Sequence, residues 1–235
     1  MIGGTRIAPS LMCMDLANVA GQLAFLDTVA EAYHVDIMDG HFAKNLALSP
    51  DFVKTCRNES GLPIDAHVMA DEPWSWVEPL ALAGATTLSV HAETIERMAF
   101  RLFGAIRDVG CSVGVAVNPA TPLTALEAYL EEIDVLTIMT VDVGYAGQAF
   151  ISPMLRKVRS AAQMKAERGL SYTIQVDGAC NAETYAPLIA AGAEQLVLGS
   201  SGLFGLDDDI SRAWRAMAAQ VGAAQQMCEE AAACE

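Results

Sequence analysis

The feature that most constrains this chain is an alternation of short apolar runs with amphipathic stretches, at a repeat of about 25 to 30 residues. Buried parallel strands read as such apolar runs, and amphipathic stretches between them are typical of helices that cover a sheet. Helices are therefore expected in every interval. The predicted strands are Arg6–Leu11, Tyr33–Met38, Ile64–Met69, Thr87–His91, Ser112–Val117, Val135–Thr140, Thr173–Asp177 and Gln195–Leu198.

Prolines and glycines mark the expected helix ends. Proline is favoured in the first helical turn and glycine just past the last one. The expected helix openers are Pro50, Pro73, Pro122 and Pro153, and the expected helix ends are at Gly84, Gly110 and Gly192.

Eight strand–helix units in 235 residues favour an α/β fold of the closed (β/α)8 TIM-barrel type. A doubly wound open sheet would give similar local periodicity. We expect a single domain over residues 1–235. The Ala- and Gln-rich residues 218–235 are expected to form a C-terminal helical extension or a frayed tail.

Charge and hydropathy exclude several classes of partner. With 14 Lys and Arg against 29 Asp and Glu, the formal net charge is -15, which repels nucleic acid. No apolar run approaches the roughly 18 residues of a membrane-spanning helix, and the start lacks a secretory signal pattern. The six cysteines are scattered, as is typical of reduced thiols. A soluble, cytoplasmic protein without nucleic-acid or membrane partners is expected.

Metal-ligand residue types lie at the carboxyl ends of three predicted strands. Residues two apart in a strand face the same way, so His34 and Asp36 share a face, while His67 and Asp177 end other strands. In a barrel these ends meet at one mouth. Two imidazoles and two carboxylates there would suit a divalent cation. A buried His–Asp network without metal is the alternative.

Glycine-containing loops follow the last three strands. The loops after strands seven and eight often bind phosphate in barrels, which makes Gly178, Gly199, Ser200 and Ser201 candidates. The segment 141–150 could close over a ligand as a lid, although such loops can also be simple turns. The methionines Met12, Met38, Met69 and Met139 each end a different strand. Any one of them is best explained by ordinary core filling, but four at one mouth suggest an apolar collar.

At these positions the chain resembles the ribulose-phosphate 3-epimerase family, over about Ile7 to Phe204. The resemblance implies a (β/α)8 TIM barrel of the ribulose-phosphate-binding type. It also implies one divalent metal ion per subunit, whether zinc, cobalt, manganese, iron or magnesium. It implies that His34, Asp36, His67 and Asp177 are the metal ligands and that Asp36 and Asp177 are also the catalytic acid–base pair. The implied substrate-binding residues are Ser10, His67, Gly144, Tyr145, Ala146, Gly147, Gly178, Gly199, Ser200 and Ser201, with Met38, Met69 and Met139 as the pocket collar.

Within the family, the sequence is most similar to the D-allulose-6-phosphate 3-epimerase branch. The segments that carry this likeness are SLMCMDL, IMDGHF, LALSP, MTVDVGYAGQ, VDGAC and SGLF. The implied reaction interconverts D-allulose 6-phosphate and D-fructose 6-phosphate by two-aspartate proton transfer through a metal-stabilised enediolate. Lys44 and Val143 stand where the family usually has proline. A homo-oligomer, either a dimer or a hexamer, is also implied.

Three other functions remain open or are disfavoured at this point. A ribulose-5-phosphate 3-epimerase would use the same chemistry on a sugar one carbon shorter. Related barrel decarboxylases carry Asp-x-Lys-x-x-Asp on the second strand, whereas this chain has His34-x-Asp36-x-x-Asp39 and no lysine there. A non-catalytic barrel that binds a sugar phosphate is the third possibility, disfavoured by the intact acid, base and ligand positions.

Overall fold

Eight parallel strands form a barrel in the computed structural model, which describes residues 1–233. The strands are β1 Arg6–Pro9, β2 Tyr33–Met38, β3 Ile64–Met69, β4 Thr87–His91, β5 Ser112–Val117, β6 Val135–Met139, β7 Thr173–Asp177 and β8 Gln195–Leu198. The helices are α1 Val19–Leu26, α2 Pro50–Glu59, α3 Trp74–Ala83, α4 Ala92–Ile95, α5 Ala99–Asp108, α6 Met154–Arg168, α7 Tyr185–Ala190 and α8 Ile210–Ala233.

The strand order confirms the barrel and excludes the open doubly wound sheet. Strands pair in the order β1-β8-β7-β6-β5-β4-β3-β2, so the first strand lies beside the last. Within residues 1–233, β1 and β2 are joined by a single parallel bridge between Ser10 and His34, which brings the barrel close to full closure. Both residues of this bridge belong to the candidate site.

Two strands are one or two residues shorter than predicted. β1 ends at Pro9 because the chain turns into a 3-10 helix over Leu11–Cys13, and β6 ends at Met139. At Thr140 the backbone N–H still bonds to the Asp177 carbonyl, so pairing continues beyond the regular strand geometry.

The prediction of a helix in every interval is wrong between β5 and β6. This connection contains two short 3-10 helices, Leu123–Leu126 and Leu130–Glu132, and Pro122 opens the first of them. The backbone bonds there join residues three apart, from Glu127 N–H to the Thr124 carbonyl and from Glu132 N–H to the Tyr129 carbonyl, so tight 3-10 turns replace an α-helix. The other proline and glycine signals lie at helix ends, as with Pro50 after the Ser49 cap and left-handed Gly84 after α3.

The barrel interior is polar at mid-height, where Asp65, Ser89, Thr137 and Gln175 are buried and hydrogen-bonded to one another. Gly114 on β5 leaves room for this layer, since a Cβ there would collide with Ser89 Oγ and lie 2.8 Å from Ser89 Cα. The apolar core lies outside the strands, between them and the helices.

The longest helix within residues 1–233 is α8, which extends from Ile210 to Ala233 and so includes residues 218–233. Its apolar face buries Met217, Val221 and Ala224 against the rest of the core. None of the helices within residues 1–233 combines the length and apolarity needed to cross a lipid bilayer.

Two glycine-to-alanine variants test whether space inside the barrel matters. Gly114→Ala should lower the free energy of unfolding by about 1–3 kcal/mol, because the added methyl group overpacks the layer around Ser89. Gly222→Ala in α8 is the matched control: its Cβ meets nothing within 4 Å, and we expect a gain of roughly 0.5–1 kcal/mol. Urea unfolding of both variants measures the difference, and equal effects would contradict the packing argument.

Candidate active site

Four ligand-type side chains meet at the carboxyl end of the barrel. His34 and Asp36 lie on β2, His67 on β3 and Asp177 at the end of β7. His34 Nε2 is 3.4 Å from Asp36 Oδ1 and 3.6 Å from Asp177 Oδ2. His67 Nδ1 is 3.2 Å from Asp36 Oδ1 and 3.6 Å from Asp177 Oδ2. Residues from three separate strands thus form one compact cluster.

The cluster fits a divalent cation. Its four ligand atoms all lie within 4.8 Å of one another, and the two imidazole nitrogens are 3.2 Å apart. Tetrahedral ligands with bonds of about 2.1 Å lie about 3.4 Å from one another, close to the separations found here. Both imidazoles are fully buried and Asp36 is nearly so. Because bulk water has little access to these polar groups, a bound cation would satisfy them better than solvent does.

The environments of the two aspartates move their pKa values in opposite directions. Burial opposes ionisation of Asp36, but the charge of His34 and hydrogen bonds from His34 and His67 outweigh it and lower the Asp36 pKa. For Asp177, burial together with the nearby Asp36 charge outweighs the imidazoles and raises the pKa. Two carboxylates with diverging pKa values can act as a base and an acid in one reaction.

Asp65 supports the cluster from below. Its Oδ2 atom lies 3.1 Å from His34 Nδ1 and accepts from Gln175 Nε2 at 2.9 Å, while Oδ1 accepts from the Ser89 hydroxyl at 2.7 Å. A carboxylate that accepts from Nδ1 leaves the His34 Nε2 lone pair directed toward the cluster. Asp65 is therefore placed to orient His34.

Ser10 contacts the cluster from the end of β1. Its hydroxyl donates to Asp36 Oδ2 at 2.9 Å, so one Asp36 oxygen is held by Ser10 while the other faces His34 and His67. Ser10 also forms the bridge that joins β1 to β2. Closure of the barrel and orientation of Asp36 therefore depend on the same residue.

A cleft opens above the cluster, and most predicted site residues line it. They are Ser10, Asp36, Asp177, Gly144, Tyr145, Ala146, Gly147, Gly178, Gly199, Ser200 and Ser201, together with Met38, Met69 and Met139. His34 and His67 are buried beneath the cleft floor. His67 was also predicted to bind substrate, but direct contact would require it to line the cleft, and it does not.

Methionines surround the cleft floor. Met38, Met69 and Met139 are nearly buried, and Met12 joins them on the wall. Met38 and Met69 pack with Ala43, against which Met12, Phe42 and Val143 lie. These side chains form an apolar rim around the carboxylates.

The upper part of the cleft suits an anion without using basic side chains. In the part of the chain that the structure describes, neither Lys nor Arg lines the cleft. The available donors are hydroxyls such as Ser200 and Ser201 and the backbone N–H groups of the glycine loops. Gly178 has a φ of +107°, and a Cβ there would lie 2.6 Å from Val141 Cγ2, so the loop after β7 requires glycine.

The loop after β6 is attached to the loop after β2. Asn45 Nδ2 donates to the Gly144 carbonyl at 2.7 Å, and the Tyr145 hydroxyl donates to the Lys44 carbonyl. Lys44 contributes its backbone here, and Val143 packs beside the methionine rim, so the two non-proline residues lie at this junction. The segment 141–150 thus has partners across the cleft mouth.

Sequence reasoning did not select several residues that line the cleft. They are Cys13, Val141, Asp142, Val143, Gln148, Ala179, Cys180 and Val197. Most belong to loops that the sequence analysis predicted to face a ligand, so membership of those loops was the one signal that could have identified them. Their contact with the cleft depends on side-chain direction, which no motif reveals.

The family model described as the ribulose-phosphate 3 epimerase family matches residues 6–204. The chain therefore belongs to the ribulose-phosphate 3-epimerase family, and it is an isomerase that epimerises a sugar phosphate.

Similar curated proteins carry the same name. The chain is 37% identical over 205 residues to ribulose-phosphate 3-epimerase of Bacillus subtilis, covering 86% of this chain and 94% of that protein. It is 39% identical over 196 residues to the Treponema pallidum protein of that name, covering 83% and 89%. With the Mycobacterium tuberculosis protein, also so named, it is 36% identical over 225 residues, covering 94% and 95%.

Solved structures with much lower identity share the fold. KGPDC from Streptococcus mutans aligns with a TM-score of 0.73 at 14% identity, covering 92% of this chain and 97% of that one. A mutant tryptophan synthase α-subunit from Pyrococcus furiosus aligns with a TM-score of 0.66 at 15% identity, covering 93% and 96%. These likenesses support the barrel alone.

Metal addition should stabilise the protein through the four-residue cluster. After dialysis against a chelator, Mn²⁺ or Zn²⁺ at about 100 times its Kd should add about 2.7 kcal/mol to the free energy of unfolding. His34→Gln should lose this gain, whereas His41→Gln, at an exposed position outside the cluster, should keep it. Thermal unfolding with and without metal is the measurement, and an equal gain in both variants would refute the assigned site.

Proposed function

We propose that this chain inverts carbon 3 of a ketose phosphate, converting D-ribulose 5-phosphate to D-xylulose 5-phosphate and back. The observation that carries the proposal is the pair Asp36 and Asp177, two carboxylates of opposite pKa shift on the floor of one cleft. The names of the curated relatives support the pentulose as substrate.

The reaction requires help because a proton beside a ketone is only weakly acidic at neutral pH. His34, Asp36, His67 and Asp177 would hold one divalent cation, which when bound supplies the positive charge that stabilises the developing enediolate. When the ion is bound, the buried imidazoles would contribute unprotonated nitrogen ligands and the carboxylates would offset its charge. The identity of the metal does not follow from this ligand set.

The aspartates move the proton. Asp36, whose lowered pKa keeps it ionised, would take the C3 proton while the C–H electron pair forms the double bond of the enediolate. Asp177, which shares the cleft floor with Asp36, would return a proton to the opposite face of C3. In the reverse direction the roles exchange. Ser10 holds Asp36 in place through its 2.9 Å hydrogen bond.

The rest of the cleft would position and protect the substrate. The loops with Gly178, Gly199, Ser200 and Ser201 would bind the phosphate through N–H and O–H donors, since no basic side chain of residues 1–233 lines the cleft. The segment Gly144–Gly147 would cover the sugar, and the methionine rim would exclude water from the enediolate.

D-Allulose 6-phosphate is the second candidate substrate. The observation that favours it is the resemblance of segments bordering the cleft to the allulose-phosphate branch, including the stretches around Met12, Tyr145 and Ser200. The chemistry at C3 would be unchanged, because the extra carbon lies between C3 and the phosphate.

Cellular location and assembly are also proposals. The acidic charge and scattered cysteines support a cytoplasmic enzyme. Assembly as a dimer or hexamer rests on the family resemblance.

Replacing either aspartate should remove proton transfer while preserving the fold. Asp36→Asn and Asp177→Asn should each reduce turnover by about 10²–10⁴-fold, because an amide cannot accept or return the C3 proton. Proton exchange at C3 in heavy water, followed by NMR, is the direct measurement. Asp71→Asn, at an exposed turn after β3, is the control and should exchange at the wild-type rate. Substrate binding without C3 exchange in the wild type would instead support a non-catalytic barrel.

Side-by-side kinetics decide the substrate. Wild-type kcat/KM for D-ribulose 5-phosphate should exceed that for D-allulose 6-phosphate at matched metal and enzyme concentrations. A preference for the hexulose would transfer the assignment to the second candidate with the same catalytic residues. Activity on neither sugar would reject both substrate assignments.

A further inference from the structure

A further histidine, His91, and a glutamate, Glu93, lie behind His67 and outside the metal cluster. His67 directs Nδ1 toward Asp36 and Asp177, and its other nitrogen, Nε2, lies 2.8 Å from His91 Nε2. His91 Nδ1 in turn lies 3.2 Å from Glu93 Oε2. A continuous chain of contacts therefore leads from the segment after β4 to a ligand-type residue on β3.

The chemistry of Glu93 determines the direction of the hydrogen bonds. An ionised carboxylate only accepts hydrogen bonds, so His91 Nδ1 must carry the proton between them. Burial opposes ionisation of Glu93, but hydrogen bonds from His91 and Thr121 outweigh it and lower its pKa to about 2. A cation at the cluster requires an unprotonated His67 Nδ1, which leaves the proton of that ring on Nε2. His91 Nε2, at 2.8 Å, is then the acceptor, so the metal-bound state requires a neutral His91.

The tautomer of His91 then determines that of His67. A neutral ring with its proton on Nδ1 has a free lone pair on Nε2, so His91 Nε2 must accept from His67 Nε2. A neutral His67 protonated on Nε2 presents the unprotonated Nδ1 to the cluster, as metal ligation requires. Asp65 has the same effect on His34, but through direct contact.

Glu93 is itself held firmly in one orientation. Its Oε1 accepts from the Asn118 backbone N–H at 2.9 Å and from the Thr121 hydroxyl. Lys157 Nζ fixes this loop by donating to the carbonyls of Asn118, Pro119 and Thr121 at 2.7–2.9 Å. Only Oε2 is therefore directed at His91.

We propose that Glu93 and His91 are positioning residues that hold His67 in the tautomer with Nδ1 free for the metal, so that Glu93 controls cation affinity without touching the cation. This inference rests on the metal site described under the proposed function. It adds two residues to that site. His91 contacts the ligand-type residue His67, and Glu93 contacts only His91.

Glu93→Gln tests the proposal with almost no change in shape. The amide oxygen must occupy the Oε1 position, since Asn118 and Thr121 both donate there, and the NH2 group must then face His91 Nδ1. His91 would have to accept at Nδ1 and donate from Nε2, which moves the His67 proton to Nδ1. We expect Zn²⁺ affinity, measured by chelator competition on the full chain, to fall by about 10–100-fold.

Glu194→Gln is the matched control. Glu194 accepts from the Ile174 backbone N–H and from Lys165 at the other end of the barrel, so its variant loses a similar charge without touching the cluster. Its Zn²⁺ affinity should equal that of the wild type. Equal affinities in wild type and Glu93→Gln, or equal losses in both variants, would overturn the proposal.

Nitrogen NMR of the histidine side chains gives a readout that a purely structural role would not change. In the Zn²⁺-loaded wild type we expect His67 protonated on Nε2 and His91 on Nδ1, whereas in Glu93→Gln we expect His91 protonated on Nε2. A wild-type His67 protonated on Nδ1 would overturn the inference without any variant. A wild type that binds no Zn²⁺ would count against the metal site of the proposed function, whereas equal Zn²⁺ affinity in wild type and Glu93→Gln would count against the positioning role alone.

Discussion

A buried carboxylate, Asp36, and a partly buried one, Asp177, against two buried imidazoles are the constraint on which the rest of this structure depends. Uncompensated charges at such a depth are costly, so the surrounding residues must either neutralise them or bond to them. Ser10 bonds to Asp36, Asp65 bonds to His34, and the cluster geometry accommodates a divalent cation. The same bridge that places Ser10 also joins the first two strands. Stability of the barrel and chemistry of the site are therefore built from shared contacts.

The residues below the cluster and the residues above it have different roles. Below the cluster, a polar layer that includes Asp65 and Gln175 orients the ligands, and Gly114 leaves room for it. Above it, methionines form an apolar rim and glycine loops provide hydrogen-bond donors. A cation and an anionic substrate can thus be bound by a chain of net charge -15, because the site uses carboxylates for the metal and neutral donors for the phosphate.

The sequence predicted most of the fold because each buried strand is a local signal. Apolar runs between glycines and prolines located all eight strands, and six of them have the predicted bounds. The prediction fails between β5 and β6, where the stretch after Pro122 forms two 3-10 helices instead of an α-helix. For the site, ligand-type residues at strand ends were sufficient to select His34, Asp36, His67 and Asp177. His91 and Glu93 were less visible, since a histidine and a glutamate after one strand carry no distinctive spacing.

The sequence by itself determined which side chains share a strand face, because alternation along a strand is a property of neighbouring residues. Only the tertiary structure decided which nitrogen of each imidazole faces the cluster, which carboxylate bonds to which ring, and that Asn45 and Tyr145 link two loops across the cleft. These contacts join residues from 24 to 101 positions apart. Their geometry depends on closing eight strands into one barrel, and that closure is a collective result that no local pattern specifies.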